Sequence, residues 1–178
     1  MTPFSVVVLA LVGRGGAGPH DLRRNAEQGR VYWEAAPSQW YSEPKRLAKL
    51  GYLTSRTEPG KTRPRTHYTI TDKGLAALEQ WVRTPTPLPR MQHESVVRLL
   101  SADLVPPEAV AEGLPAMRAE IETALHHLDQ ARERWSRTLP HRIDLLSVND
   151  RYAERLLRLQ LDWLDQAEAV LAERSSRP

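Results

Sequence analysis

Residues 40–74 read WYSEPKRLAKLGYLTSRTEPGKTRPRTHYTITDKG. Leu47, Leu50 and Leu53 recur at helical spacing, and Gly51 stands where a helix would stop. A helix is therefore expected from an N-cap at Ser38 to about Leu50. Its outward face would carry Gln39, Ser42, Lys45, Arg46 and Lys49, with Leu47 and Leu50 turned inward. Two strand-like runs follow, 52–58 and 65–71, around the turn signal Pro59-Gly60. Tyr68 and Ile70 alternate with threonines, as on a half-buried strand. Another helix, capped by Thr71 or Asp72, carries Leu75, Leu78, Trp81 and Val82. Helix, two-stranded hairpin and helix in this order are the second half of a winged helix-turn-helix.

The first half must then supply helices. Upstream lies MTPFSVVVLALVGRGGAGPH, in which residues 13–18, GRGGAG, fit G-x-G-x-x-G. With the apolar run Phe4 to Val12 before it and Glu34 some way after, the stretch could open a dinucleotide-binding fold. Three features argue otherwise. The segment after the loop, PHDLRRNAEQ, offers only Leu22 and Ala26 to pack on a sheet. No apolar parallel strands follow Glu34. Helical patterns fill the rest of the chain, which a doubly wound sheet does not allow. The glycines are read instead as the reversal between a first, buried helix and a second, polar one.

Downstream, RTPTPLPR (83–90) has three prolines in five residues and reads as a stiff connector. Residues 1–84 are expected to form the winged helix-turn-helix and 85–178 a helical dimerisation part. The fold class is thus mainly α with a small β-hairpin wing. In the second part Val110, Leu114, Met117, Ile121, Ala124, Leu128, Ala131 and Trp135 recur at spacings of four and three, a coiled-coil-like seam. Pro106 and Pro107 are available to start that helix, and residues 136–150 read as a loop. The last helix, from about Asp150 to Ala172, has one stripe of Tyr152, Leu156, Leu159, Trp163, Ala167 and Val170. A second stripe holds Leu157, Leu161, Leu164 and Leu171. One antiparallel neighbour cannot cover both. Either a helix over Met91 to Asp103 covers the second, or a second copy of the chain does. The dimer reading assigns Leu99, Leu100, Ile121, Leu128, Tyr152, Leu156, Leu159 and Trp163 to that interface.

Charge separates along the same division. Residues 1–83 hold 13 Lys and Arg against 7 Asp and Glu, a balance of +6, and residues 84–178 hold 12 against 15, a balance of −3. A polyanion would bind the first part. Gln and Ser near the start of the helix from Ser38 can bond base edges in a major groove, while Lys45, Arg46 and Lys49 can neutralise phosphates. The hairpin tip adds Lys61, Arg63 and Arg65 with no acid among them.

The stretch 40–74 resembles the PadR-like transcriptional regulators. In these a Tyr-containing recognition helix, an R-L-x-x-x-G stop, a basic wing ending Y-x-[IL]-T-x-x-G and a helical dimerisation part follow one another. The tail from ESVVRLL through YAERLLRLQLDWLDQA resembles their C-terminal module. The resemblance implies that Tyr41, Lys45 and Arg46 meet double-stranded operator DNA from the helix, and that Arg63, Arg65 and Tyr68 do so from the wing. Ser38, Gln39, Ser42 and Lys49 on the helix and Lys61 and Thr66 on the wing complete the expected DNA contacts. The resemblance also implies a homodimeric repressor of a palindromic operator, relieved in some members by a small aromatic effector. The family's usual Tyr-Pro is Tyr41-Ser42 here, and the proline is Pro44. A proline past the first turn costs ~3 kcal/mol, so either Ser42 caps a shorter helix or the helix is kinked. Trp33, Trp81 and Trp163 are candidates for an aromatic ligand site, although core packing accounts for tryptophans more often.

Other functions lack residues to carry them. At 40 % hydrophobic and 26 % charged the chain has the composition of a folded soluble protein. It has no cysteine, so no thiol nucleophile and no Cys-type zinc site. Its six histidines are scattered; His126 and His127 are adjacent and diverge by about 100° on a helix. No catalytic residues, cofactor or metal are expected. The short apolar run near the N-terminus lacks a basic start and a cleavage pattern, and no stretch nears the ~20 residues of a membrane span, so a cytoplasmic protein without membrane contact is expected. The alternative is a winged-helix protein-interaction module that does not bind DNA.

Overall fold

The computed structural model describes residues 1–27, 33, 35–59, 64–89 and 91–176. The chain divides into two compact units, Met1–Leu88 and Pro89–Pro178.

In the first unit Thr2 opens helix α1 (Pro3–Val12) with a reciprocal cap. Its hydroxyl accepts from the Ser5 N–H at 3.1 Å, and the Ser5 hydroxyl accepts from the Thr2 N–H at 3.0 Å. Pro3 sits at the first helical position, where its missing N–H costs nothing. The run Phe4 to Val12 is therefore a helix, and Phe4, Val8, Leu9 and Val12 are buried in the core. GRGGAG turns the chain through Gly15 and Gly16, both at positive φ, into α2 (Pro19–Glu27). The turn also builds sheet. Ala17 and Tyr68 exchange N–H···O bonds of 3.0 Å each, so the loop adds a single bridge to the edge of the hairpin. Gly16 lies so close to that strand that a Cβ would stand 2.8 Å from the Tyr68 carbonyl oxygen.

Helix α3 (Gln39–Lys49) follows, then strands β1 (Leu53–Glu58) and β2 (Arg65–Ile70), then α4 (Asp72–Val82). The strands are antiparallel, in register from Leu53 opposite Ile70 to Glu58 opposite Arg65. Gly51, at φ +78°, ends α3 in the manner the sequence predicts. Its N–H donates to Ala48 and that of Tyr52 to Leu47, both at 3.0 Å, which uses two of the helix's last carbonyls. Thr71 caps α4 by accepting from the Gly74 N–H at 3.1 Å, and its hydroxyl donates to the Gly51 carbonyl at 2.8 Å. Leu22, Trp40, Leu47, Leu53 and Tyr68 complete the core with the α1 residues. Each large side chain so buried stabilises the unit by about 1.5–3 kcal/mol before entropy is counted.

The second unit is helical: α5 (Glu94–Leu100) running into a 3-10 turn (Ser101–Asp103), α6 (Pro107–Ala111), α7 (Leu114–Thr138), a 3-10 turn (Pro140–Arg142) and α8 (Ile143–Ser175). Three expectations change. The seam predicted to run unbroken from Val110 is split between α6 and α7, because Gly113 weakens the helix and Pro115 cannot donate within it. The stretch read as a loop, 136–150, is mostly helix, since α8 begins at Ile143. The helix expected over Met91 to Asp103 is the short α5 with its 3-10 turn, and none of the α5 side chains is buried.

Helices α7 and α8 pack along one seam. Leu114, Ile121, Leu128 and Ala131 of α7 are buried, as are Ala153, Leu157, Leu164, Ala167 and Leu171 of α8. Ile121 and Leu128, expected at a dimer interface, are instead core of a single chain, as seven-residue steps along the face that meets α8. Ala167 joins the inner stripe for the same reason. The ends of the seam are tied by charge. Arg132 reaches buried Asp150 at 2.5 Å and Glu154 at 3.0 Å, and Arg118 reaches Asp165 at 2.6 Å and Glu168 at 2.9 Å.

Candidate nucleic-acid interface

Helix α3 buries a narrow arc made by Trp40, Pro44 and Leu47. At about 100° per residue, the opposite arc carries Tyr41, Ser42, Lys45, Arg46 and Lys49, and all five are exposed. Ser38 and Gln39 at the helix start are exposed too. Leu50 is the exception to the predicted phase: it is 46 % exposed. Three residues advance a helix by about 300°, so Leu50 falls 60° short of Leu47 and leaves the buried arc.

Pro44 does not shorten the helix. The chain is helical from Gln39 through Lys49 with Pro44 inside it, and the Ser42 N–H is used within the helix, donating to the Ser38 carbonyl at 3.0 Å. The pyrrolidine ring is fully buried, so its apolar contact offsets part of the missing hydrogen bond. Beneath the helix, Phe4 lies edge-on to Trp40 at 4.8 Å between ring centroids and stacks on Trp33 at 6.4 Å. These rings set the height of α3 above α1.

A second tether lies at the edge of the outward arc. The Ser5 hydroxyl donates to Glu43 at 2.6 Å, and Glu43 in turn holds Arg46 through Nε at 2.8 Å and Nη2 at 2.7 Å. Arg46 Nη2 also donates to Ser5 at 3.0 Å. The hydrogen bonds from Arg46, helped by Ser5 and by charge attraction, hold the Glu43 carboxyl below its ordinary range, although burial pulls the other way. At the helix C-terminus Lys73 donates to the Leu50 carbonyl at 2.8 Å and lies over the Tyr52 ring. Gln39 accepts from the Ala36 N–H at 3.0 Å, which ties down its oxygen and leaves its amide N–H groups as donors.

On the wing, Arg65 and Thr66 are exposed at the start of β2. Lys61 and Arg63 lie outside the described residues. Tyr68, assigned to DNA by the resemblance, is 5 % exposed and belongs to the core; burial also raises its hydroxyl pKa. In the alternation with threonines, Tyr68 falls on the face that packs against the core. Glu58 was missed: it takes Arg56 at 2.7 Å and lies opposite Arg65 in the register, so the wing's charge is less one-sided than its tip suggests.

The other expected sites fall in different places. On α8, Tyr152 and Leu159 are exposed and Leu156 and Trp163 half-buried, and Val170 prolongs the stripe outward. Leu100 is exposed and Leu99 half-buried on α5. Of the three tryptophans considered for a ligand, Trp33 packs in the first unit, Trp81 is exposed on α4, and Trp163 meets His93 edge-on at 5.2 Å in the second unit. No helix among the described residues is long and apolar enough to cross a membrane.

Comparison with known proteins agrees with this arrangement. The family model "Virulence activator alpha C-term" matches residues 91–172. The negative transcriptional regulator PadR of Bacillus subtilis is 32 % identical over 91 residues, a match spanning half of this chain and about half the length of that relative. The crystal structure of B. subtilis PadR in complex with operator DNA superposes with a TM-score of 0.77 at 20 % identity, covering 96 % of this chain and 98 % of that one. PadR in complex with p-coumaric acid gives 0.68 at 21 % identity over 95 % and 98 %. The Vibrio cholerae virulence activator AphA gives 0.75 at 20 % identity over 96 % and 98 %. Over nearly its whole length the chain thus has the winged helix-turn-helix fold of these PadR and AphA structures.

Proposed function

We propose that this protein is a sequence-specific DNA-binding transcriptional regulator, acting in the cytoplasm as a homodimeric repressor of a palindromic operator. The observation that carries the reading is the outward arc of α3, where Tyr41, Ser42, Lys45 and Lys49 stand exposed above a buried Trp40–Pro44–Leu47 face. A solved PadR carries operator DNA on the same fold. Ser38, Gln39, Tyr41 and Ser42, nearest the helix start, face bases in the major groove; Lys45 and Lys49 take phosphates. Arg65 and Thr66, with Lys61 and Arg63 of the tip, follow the neighbouring backbone. Tyr68 has no part in it. The second copy covers the outward stripe of α8, Tyr152, Leu156, Leu159 and Trp163, together with Leu99 and Leu100 of α5. The effector is a small aromatic molecule, a reading supported by the PadR complex with p-coumaric acid.

The test is binding to random-sequence duplex at low salt. Affinity should fall steeply as salt rises, and Lys45→Ala should lower the slope of log K against log salt by about 0.9, the release of one phosphate's counterion. A protein that binds no duplex even at low salt would be the interaction module instead.

A further inference from the structure

We propose that Glu43 is a specificity-determining latch: it holds Arg46 on the protein until a DNA phosphate in a matched site displaces it. The proposal rests on the DNA-binding reading of α3 and concerns when Arg46 takes part. Glu43 is a positioning residue, acting through Arg46.

Arg46 stands on the outward arc beside Lys45 and Lys49, yet it is not disposed as they are. Both its Nε and Nη2 are committed to Glu43, at 2.8 and 2.7 Å, the fork-on-carboxylate arrangement that fixes a guanidinium in direction as well as place. The pair is anchored rather than floating. Ser5 is fully buried in α1, donates to Glu43 at 2.6 Å and accepts from Arg46 at 3.0 Å. Glu43 keeps only 13 % of its side-chain surface, whereas Arg46 keeps 45 %. The carboxylate is therefore held by the fold, and the guanidinium is the member that can leave. Most surface ion pairs three residues apart on a helix are worth little because both side chains move freely. Here one partner is fixed by a third group on another helix.

The consequence follows from competition. A phosphate must offer Arg46 more than Glu43 and Ser5 already do. On random duplex, where the protein slides without fixed register, phosphates are met at varying distances and Arg46 stays on Glu43. In a matched site base contacts fix the helix, one phosphate oxygen is held within reach, and Arg46 transfers to it. Arg46 then contributes to specific binding and little to non-specific binding, which widens the ratio between the two.

The experiment measures binding of the full chain to random-sequence duplex over a salt series, for the wild type, Glu43→Gln, Arg46→Gln and the double variant. Glu43→Gln frees the guanidinium and should steepen the slope of log K against log salt by about 0.9. The double variant should return to the wild-type slope. Arg46→Gln alone should leave that slope unchanged, because wild-type Arg46 is already latched; this arm stands even if Glu43→Gln fails to fold. A folded Glu43→Gln protein with an unchanged slope, or an Arg46→Gln protein with a slope shallower by about 0.9, would overturn the latch. Absence of duplex binding by the wild type defeats the regulator reading itself, an outcome separate from either.

Discussion

Gly16 and Gly15 are neighbours at similar positive φ, +86° and +103°, but they answer to different constraints. At Gly15 a Cβ would meet nothing within 4 Å, so Gly15→Ala carries only the cost of a left-handed backbone, about 1 kcal/mol. At Gly16 the same atom would stand 2.1 Å from the His67 ring and 2.8 Å from the Tyr68 carbonyl oxygen. The ring can move aside; the carbonyl is part of a strand and cannot. Gly16→Ala should therefore lower stability by about 2–3 kcal/mol, and urea unfolding of the two variants side by side should order them Gly16 well below Gly15. Glu43 supplies a pH prediction at the same scale. Its carboxyl is held below the usual range in the folded protein by Arg46, so its contribution is present above the unfolded value of 4.5 and is lost as the pH falls through the lowered folded value. With Arg46 half in solvent, that contribution is about 1 kcal/mol. Unfolding midpoints of wild type and Glu43→Gln should differ at neutral pH and converge in acid; a constant gap would mean the ionised carboxylate is not what stabilises.

At the scale of elements, the two faces of α8 invite opposite experiments. Leu164 lies fully buried against α7, so Leu164→Ala should cost about 2–5 kcal/mol whatever the protein concentration. Leu159 points outward, so Leu159→Lys should change the fold of one chain little and weaken self-association, read by sedimentation. The sequence already distinguished these stripes at spacings of three and four, yet not which of them faces α7. Periodicity gives the angle between two stripes and not the direction of the neighbour, so Ile121 and Leu128 went to the dimer when they belong within the chain. Helix ends were legible where capping chemistry is local, as at Thr71 and Gly51. They were missed where a weak start sits inside an apolar pattern, as at Gly113 and Ile143. In the first unit the outward residues of α3 were readable from one buried arc. The engagement of Arg46 was not, because its anchor Ser5 lies 41 positions away in the chain. Tyr68 was placed outward by the family resemblance, whereas it is buried in the core; alternation marks two faces of a strand without saying which one is covered.

For the whole molecule the division of charge and the division of apolar surface run in parallel. The excess of positive charge lies in residues 1–83 and the excess of negative charge beyond, so a polyanion would be drawn to the first stretch and repelled by the second. The outward apolar residues of α5 and α8 belong to the stretch with the negative balance. If a second copy covers them, association and folding are linked, and the melting temperature should rise with protein concentration. Calorimetry over a hundredfold range would show this, with sedimentation giving a species of about twice 20.2 kDa. A concentration-independent midpoint and a 20.2 kDa species would leave the chain a monomer.

The paired bonds between Ala17 and Tyr68 make these two amides natural reporters. Both residues are buried, and each N–H is held by the other's carbonyl, joining the glycine turn to the base of the hairpin across 51 positions of chain. Neither proton can meet solvent unless that junction parts, so both should exchange with deuterium only when the whole unit unfolds. Their rates, followed side by side, would give the global stability of the first unit directly, without any denaturant.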